Sequence, residues 1–134
     1  MTCHCGSANT YENCCEKFIL EKELPTTSEQ LMRSRFSAYA VKAIDYLNTS
    51  LDPQNRHEFN EDATARWANS SQFTKLEILR TEDKGTKGIV EFKAHYIHEG
   101  EEHVHHELST FRKQAGRWFY KSGKVYQTEE DDEE

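Results

Sequence analysis

The positions of the hydrophobic residues predict a helix in the first half of the chain. They recur at helical spacing and would form one stripe, made of Met32, Phe36, Tyr39, Ala40, Ala43, Ile44 and Leu47. Two overlapping capping boxes, within residues 26–30, stand immediately before this run. The helix is expected to end near Asn48, because Pro53 and the residue before it cannot continue a helix. A shorter helix is expected over residues 62–68, with Trp67 near the first helix.

From Phe73 onward the pattern changes to the alternation that is typical of strands. Residues 90–96 would present one apolar face, with charged side chains on the other. Turns are expected at 83–85, 99–101 and 114–116, each of which contains a glycine. Helices followed by a meander of three or four antiparallel strands predict an α+β fold.

The predicted pairing of the two middle strands brings polar residues into the apolar face. A two-residue loop at Gly100-Glu101 would place Ala94 opposite Glu107. His105, Glu107 and Ser109 would then share the face that carries Ala94. A carboxylate beside an imidazole in such a place is a candidate acid/base pair.

The alternative interpretation of Glu107, which the sequence favours, is a buried structural ion pair with Arg33 or Arg35 from the helix. The full candidate pocket consists of six residues: Arg33, Arg35, Trp67, His105, Glu107 and Trp118.

Length, composition and charge narrow the class of protein. A chain of 134 residues suffices for one domain with a small appendage. Since the mean hydropathy is only −0.94, the core must rely on the 15 aromatic residues. Six of the seven net negative charges lie in residues 129–134, which predicts a disordered acidic tail over 127–134. The near-neutral remainder has no basic stripe, so strong direct nucleic-acid binding is not expected.

The sequence also predicts a location for the protein. No apolar run approaches the roughly 20 residues of a membrane span, and the N-terminus lacks the apolar stretch of a secretory signal. A cytoplasmic protein is therefore expected, in a reducing compartment where cysteines hold metal more often than they form disulfides.

All four cysteines lie at the N-terminus, as the two short-spaced pairs Cys3-x-Cys5 and Cys14-Cys15. Four thiolates suit a closed, tetrahedral zinc site, and each pair could supply one edge of the tetrahedron. The alternative, two disulfides or free thiols, is disfavoured because adjacent cysteines bridge only with strain. The spacing predicts one structural Zn²⁺, whose binding would supply the folding free energy of a segment too short to fold alone.

The segment CHCGSANTYENCC, residues 3–15, resembles the SEC-C motif, the zinc module at the C-terminus of the SecA translocation motor. The resemblance includes both cysteine pairs, Gly6-Ser7 and Tyr11. The segment departs from the usual pattern at His4, where proline is common, and at Ala8-Asn9, where Gly-Lys is common. The resemblance implies a module that binds a protein partner and is associated with chaperones, translocases or ribosomes.

Four further segments, taken in order, are similar to the middle domain of YchJ-like proteins: LMRSRFSAY (31–39), VEFKAHY (90–96), HELSTF (106–111) and GRWFY (116–120). This resemblance implies a fold like nuclear transport factor 2, with helices packed on a curved antiparallel sheet. The chain then divides into a zinc-binding motif (1–20), a YchJ-like domain (21–126) and an acidic tail (127–134).

Two functions from different classes are compatible with these features. The first is a non-enzymatic protein-interaction module built on the zinc motif. A homodimer could form through outer-face residues Leu79, Ile97 and Phe119. The second is a small-molecule-binding protein or enzyme that uses the concave face of the sheet. A closed pocket with a strongly perturbed Glu107, free of arginine, would favour the second function. A filled interior with Glu107 paired to Arg33 or Arg35 would favour the first.

Overall fold

A four-stranded antiparallel sheet with helices on one face makes up most of the structure, a computed structural model that describes residues 2–126. The predicted acidic tail lies outside the described residues. In chain order the α-helices are α1 (Cys15–Ile19), α2 (Ser28–Val41), α3 (Ile44–Thr49) and α4 (Glu61–Asn69), with a 3-10 helix at Pro53–Glu58. The strands are β1 (Ser71–Lys84), β2 (Lys87–His98), β3 (Glu101–Gln114) and β4 (Arg117–Val125). The α+β prediction is confirmed.

Helix α2 begins at the predicted capping residues. The Thr27 hydroxyl accepts a hydrogen bond from the Gln30 backbone N–H at 3.1 Å, and the Gln30 side chain accepts one from the Thr26 backbone N–H at 2.8 Å. These bonds satisfy backbone donors that the first turn of a helix leaves unpaired. Helix α2 is buried over most of its length, because the sheet packs on one side of it and the N-terminal segment on another.

The prediction of one continuous helix to Asn48 is wrong. Helix α2 ends at Val41, and Lys42 adopts a left-handed conformation with φ +63°. The Ala43 N–H then bonds to the Ala38 carbonyl at 2.8 Å, which is the closure typical of a Schellman cap. The Lys42 ammonium donates to the Ala68 carbonyl at 2.9 Å and so ties the break to α4. The chain changes direction here, and α3 starts as a separate helix.

The strands form a simple meander, and its central turn lies one residue earlier than predicted. Glu99 and Gly100 occupy the turn with φ +54° and +82°, the pair of left-handed conformations that a type I′ hairpin requires. Ala94 therefore pairs with His105 rather than with Glu107. The true partner of Ala94 thus lies two residues from the predicted one. A shift of two residues leaves every side chain on the same face of the sheet, so His105 and Glu107 still lie on the face of Ala94.

A β-bulge interrupts the pairing of β3 with β4. Phe111 pairs with Tyr120, but Thr110 pairs with Ser122, so Lys121 is an extra residue. The bulge sets Gly123 opposite Ser109 and next to Glu107. A β-carbon at position 123 would collide with the Glu107 carboxylate and with the Tyr120 hydroxyl, so a larger residue here would force these side chains to move.

The residues predicted for association through the outer face of the sheet differ in exposure. Phe119 is only 8% exposed, because the guanidinium groups of Arg56 and Arg117 lie over its ring at 5.7 and 5.2 Å. Leu79 is 47% exposed. Association through this face stays a prediction. No helix within residues 2–126 is long and apolar enough to cross a membrane.

Candidate functional site

The four cysteines converge into one cluster. Their sulfur atoms all lie within 4.8 Å of one another, with Cys5 and Cys14 at 3.6 Å and Cys14 and Cys15 at 3.9 Å. Cys3, Cys5 and Cys15 are buried, and all four are free thiols. A hydrogen bond from the Cys3 N–H to the Asn9 carbonyl closes the intervening loop, and α1 begins at Cys15.

This cluster fits a tetrahedral metal ion. Zinc–thiolate bonds of about 2.3 Å place the sulfurs of a tetrahedron roughly 3.8 Å apart, which is close to the observed separations. The donors are all soft thiols, with no carboxylate or histidine among them. The four residues would occupy every position of a closed site.

Hydrogen bonding within the cluster shifts the pKa values of its thiols in opposite directions. A hydrogen bond from Cys15 lowers the pKa of the Cys5 thiol, and the same bond raises the pKa of Cys15. Burial raises the pKa of Cys14. Because thiolates are the metal ligands, binding of a cation to this cluster would release protons.

The cysteine cluster is attached to helix α2. The Arg33 guanidinium donates to the Cys5 carbonyl at 2.6 Å and to Glu29 at 2.9 Å. The sulfur of Cys3 lies 3.5 Å from the Ser37 hydroxyl. Arg33, a predicted pocket residue, thus lies with the metal-binding motif.

A cavity of about 360 Å³ lies between α2, α4 and the concave face of the sheet. Aromatic side chains dominate its walls: Phe36, Tyr39, Trp67, Phe73, Phe92 and Tyr96. Trp67 is 36% exposed and contributes to the rim. The predicted residues Arg35, Trp67, His105 and Glu107 line the cavity together. Trp118 does not, because it is buried elsewhere with its indole N–H donating to the Thr26 carbonyl.

Glu107 supplies the carboxylate of the cavity, and its partners are neutral or histidine groups. It accepts hydrogen bonds from Ser109 at 2.5 Å and Tyr120 at 2.7 Å, and its other oxygen lies 2.7 Å from Nε2 of His105. Burial acts to raise the pKa of Glu107, but the hydrogen bonds from His105, Ser109 and Tyr120 outweigh it and lower the pKa. The predicted ion pair with Arg33 or Arg35 is wrong.

Tyr120 is a residue of the candidate site that sequence reasoning missed. Burial and the neighbouring Glu107 carboxylate raise its pKa, so the phenol remains a donor. The alternation in GRWFY places Tyr120 on the same face as Trp118, and this signal could have identified it. Gly123 was missed as well, because its role depends on the bulge.

Comparison with known proteins identifies the family. The family model described as "YchJ, middle NTF2-like domain" matches residues 27–123. A UPF0225 protein of Geobacter sulfurreducens is 40% identical over 124 residues, which cover 90% of this chain and 77% of that protein.

Two solved structures are similar over nearly the whole chain. The solution structure of a SEC-C motif containing protein from Rhodopseudomonas palustris has a TM-score of 0.89 at 40% identity, covering 95% of this chain and 100% of that one. The crystal structure of a SEC-C motif containing protein from Psychrobacter arcticus has a TM-score of 0.80 at 25% identity, covering 96% and 84%. The predicted resemblances are confirmed, and the chain belongs to the UPF0225 family of YchJ-like proteins, with an N-terminal SEC-C motif and an NTF2-like domain.

Proposed function

We propose that this chain is a small-molecule-binding protein in which the NTF2-like cavity receives the ligand and the cysteine cluster holds one structural zinc ion. The cavity is the observation that carries the proposal. Its volume of about 360 Å³ falls in the range of roughly 300–1,000 Å³ that is usual for ligand sites. Aromatic walls with a few convergent polar groups are also typical of such sites.

The surroundings of Glu107 support ligand binding over protein interaction. A carboxylate locked to an arginine would have indicated a structural core. Glu107 instead faces the cavity beside His105, so we rank ligand binding before protein interaction. Glu107 is already held by three hydrogen bonds, which makes it a positioning group. His105 is the side chain suited to exchange a proton with a bound ligand.

A cavity-filling variant tests ligand binding. The probe is N-phenyl-1-naphthylamine, a neutral aromatic dye whose fluorescence rises in apolar surroundings. We expect saturable one-to-one binding to the wild-type chain and its loss in Ala94→Leu, which adds bulk to the cavity wall. Lys93→Leu is the matched control, since Lys93 is the preceding residue of the same strand and points to the opposite face. No binding to the wild-type chain, or equal binding by both variants, would overturn the proposal.

The zinc assignment is tested by metal content and thiol titration on protein purified without added zinc. We expect one zinc per chain, and its loss in Cys14→Ser together with the fold of the first twenty residues. Ser7→Ala is the control, because it removes a hydroxyl 3.2 Å from the Cys14 sulfur but leaves all four thiols. Metal-free protein with four titratable thiols would contradict the assignment. The assignment assumes a reducing compartment such as the cytoplasm.

A protein partner that binds at the zinc motif is a second candidate function. Leu20 and Leu24, just after α1, are 54% and 44% exposed, and exposed apolar side chains near each other often mark contact surfaces. A partner cross-linked to this segment should be lost from the double variant Leu20→Lys, Leu24→Lys. The same partner should be retained by Val125→Lys, which changes an exposed residue on β4. Equal cross-linking by both variants would refute this role.

A further inference from the structure

Arg35 is a buried cation without a carboxylate partner. Its residue is only 8% exposed, and it forms no ion pair within 4.0 Å with another described residue. One terminal nitrogen, Nη1, donates to the Leu47 carbonyl at 2.9 Å and to the Ser50 hydroxyl at 2.6 Å. The guanidinium also lies 4.6 Å from the centre of the Tyr120 ring. All of these partners are neutral, so the charge of Arg35 is not compensated by direct contact.

One edge of the Arg35 guanidinium is not used in hydrogen bonding. Nε and Nη2 of Arg35 make no hydrogen bond to any described residue. Within residues 2–126, every side-chain nitrogen or oxygen that is shielded from solvent has a hydrogen-bond partner. These two nitrogens must therefore border open space, and Arg35 lines the cavity.

The same edge of an arginine binds a carboxylate elsewhere in this protein. Nε and Nη2 of Arg112 donate to the two oxygens of Asp52 at 2.7 and 2.8 Å. Such two-point pairs are strong because the spacing of the two N–H groups matches that of the two oxygens. Arg35 has the equivalent pair of donors, and no carboxylate of the described chain occupies them.

The charges around the cavity favour a ligand with one negative charge over a ligand with two. Among residues 2–126, Arg35 is the one lining residue with a permanent positive charge, and Glu107 contributes a negative charge. The Glu107 carboxylate is occupied by His105, Ser109 and Tyr120. It would repel the second charge of a dianion such as a phosphate monoester, whereas a carboxylate on Arg35 adds only one.

We propose that the cavity binds a small carboxylic acid with a flat, apolar body, its carboxylate paired with Nε and Nη2 of Arg35 and its body between the aromatic walls. This inference rests on the proposed function and names the ligand class. Burial of an unpaired charge is unfavourable, and an anionic ligand compensates it. The aromatic walls contribute the apolar contact that a ring-containing body requires.

A matched pair of ligands separates the effect of the ligand's negative charge on affinity from the effect of its apolar contact. The probes are 1-naphthylacetate and 1-naphthylacetamide, which are nearly identical in shape and differ in charge. Calorimetric titration of the full chain with its metal should show at least tenfold tighter binding of the acid. In the wild-type protein, the Arg35 Nε–H resonance should shift with the acid and not with the amide, while the Arg112 resonance should remain unchanged.

Two variants test whether Arg35 causes the preference for the acid over the amide. Arg35→Gln should bind acid and amide with similar affinity, whereas Arg80→Gln, an exposed residue on β1, should keep the preference for the acid. The resonance measurement needs no variant, so the inference can be tested even if Arg35→Gln does not fold. Equal affinity for acid and amide in the wild-type protein would overturn the inference and leave small-molecule binding intact. Absence of binding by both compounds at millimolar concentration would overturn both.

Discussion

The substitution Gly123→Ala should destabilise the protein through a contact that lies on a neighbouring strand. Gly123 faces Glu107 from β4, and an added methyl group would occupy the space of the Glu107 carboxylate and of the Tyr120 hydroxyl. The carboxylate would have to move. Its oxygen Oε2 would then lose the hydrogen bonds from Ser109 and Tyr120.

The magnitude follows from those two bonds. A hydrogen bond to a charged group contributes about 1.5–3 kcal/mol, so the loss of two amounts to about 3–6 kcal/mol. Replacing a strand glycine by alanine recovers about 0.5–1 kcal/mol of conformational entropy. We therefore expect the free energy of unfolding to fall by about 2–5 kcal/mol. For a domain of this size the Tm should fall by roughly 10–20 °C.

Urea denaturation at fixed zinc concentration measures this effect, and Ser122→Ala is the control because Ser122 is the exposed preceding residue on β4. A double-mutant cycle with Glu107→Ala isolates the contact, since Gly123→Ala should have little effect once the carboxylate is gone. If Gly123→Ala alone changes stability by less than about 0.5 kcal/mol, the ordinary range for surface substitutions, the described position of Glu107 is refuted.

Two further predictions concern stability. The pKa of Glu107 is lowered from its ordinary value of 4.5, so its stabilising contribution is complete above that value and is lost as the pH falls through the folded pKa. The difference in unfolding free energy between wild type and Glu107→Gln, measured by denaturant titration, should therefore shrink as the pH falls from about 6 to about 3; a constant difference would contradict this. Ala115 occupies the β3–β4 turn with φ +54°, a conformation that asparagine tolerates better than alanine. Ala115→Asn should raise the free energy of unfolding by about 0.5–1 kcal/mol, and an unchanged denaturation midpoint would refute the strain at this turn.

The alternation of apolar and polar residues and the spacing of the cysteines predicted the features that depend on residues close together in the sequence. The cysteine cluster forms from two short pairs because so little chain separates them. His105 and Glu107 lie on the predicted face even though the turn is one residue early, since the face depends only on odd or even position.

The parts that could not be predicted depend on contacts between distant segments. Lys42 takes a left-handed conformation that lysine seldom adopts, and its side chain is held by Ala68, 26 residues away. The hydrophobic period continues across this break, so nothing in the pattern marks it. The partners of Glu107 depend on the bulge at Lys121, which has no distinctive sequence and brings Gly123 rather than a side chain next to the carboxylate.

Helix α2 belongs to both candidate sites. Arg33 and Ser37 contact the cysteine motif, while Arg35 and Phe36 line the cavity. A displacement of α2 at one site would therefore reach the other site through the same helix. If bound metal changes the affinity for a cavity ligand by some factor, the bound ligand must change the affinity for metal by the same factor. If the metal-loaded protein binds a cavity ligand more tightly, thiol oxidation or chelation would weaken ligand binding, and a saturating ligand would raise the affinity for metal by the same factor.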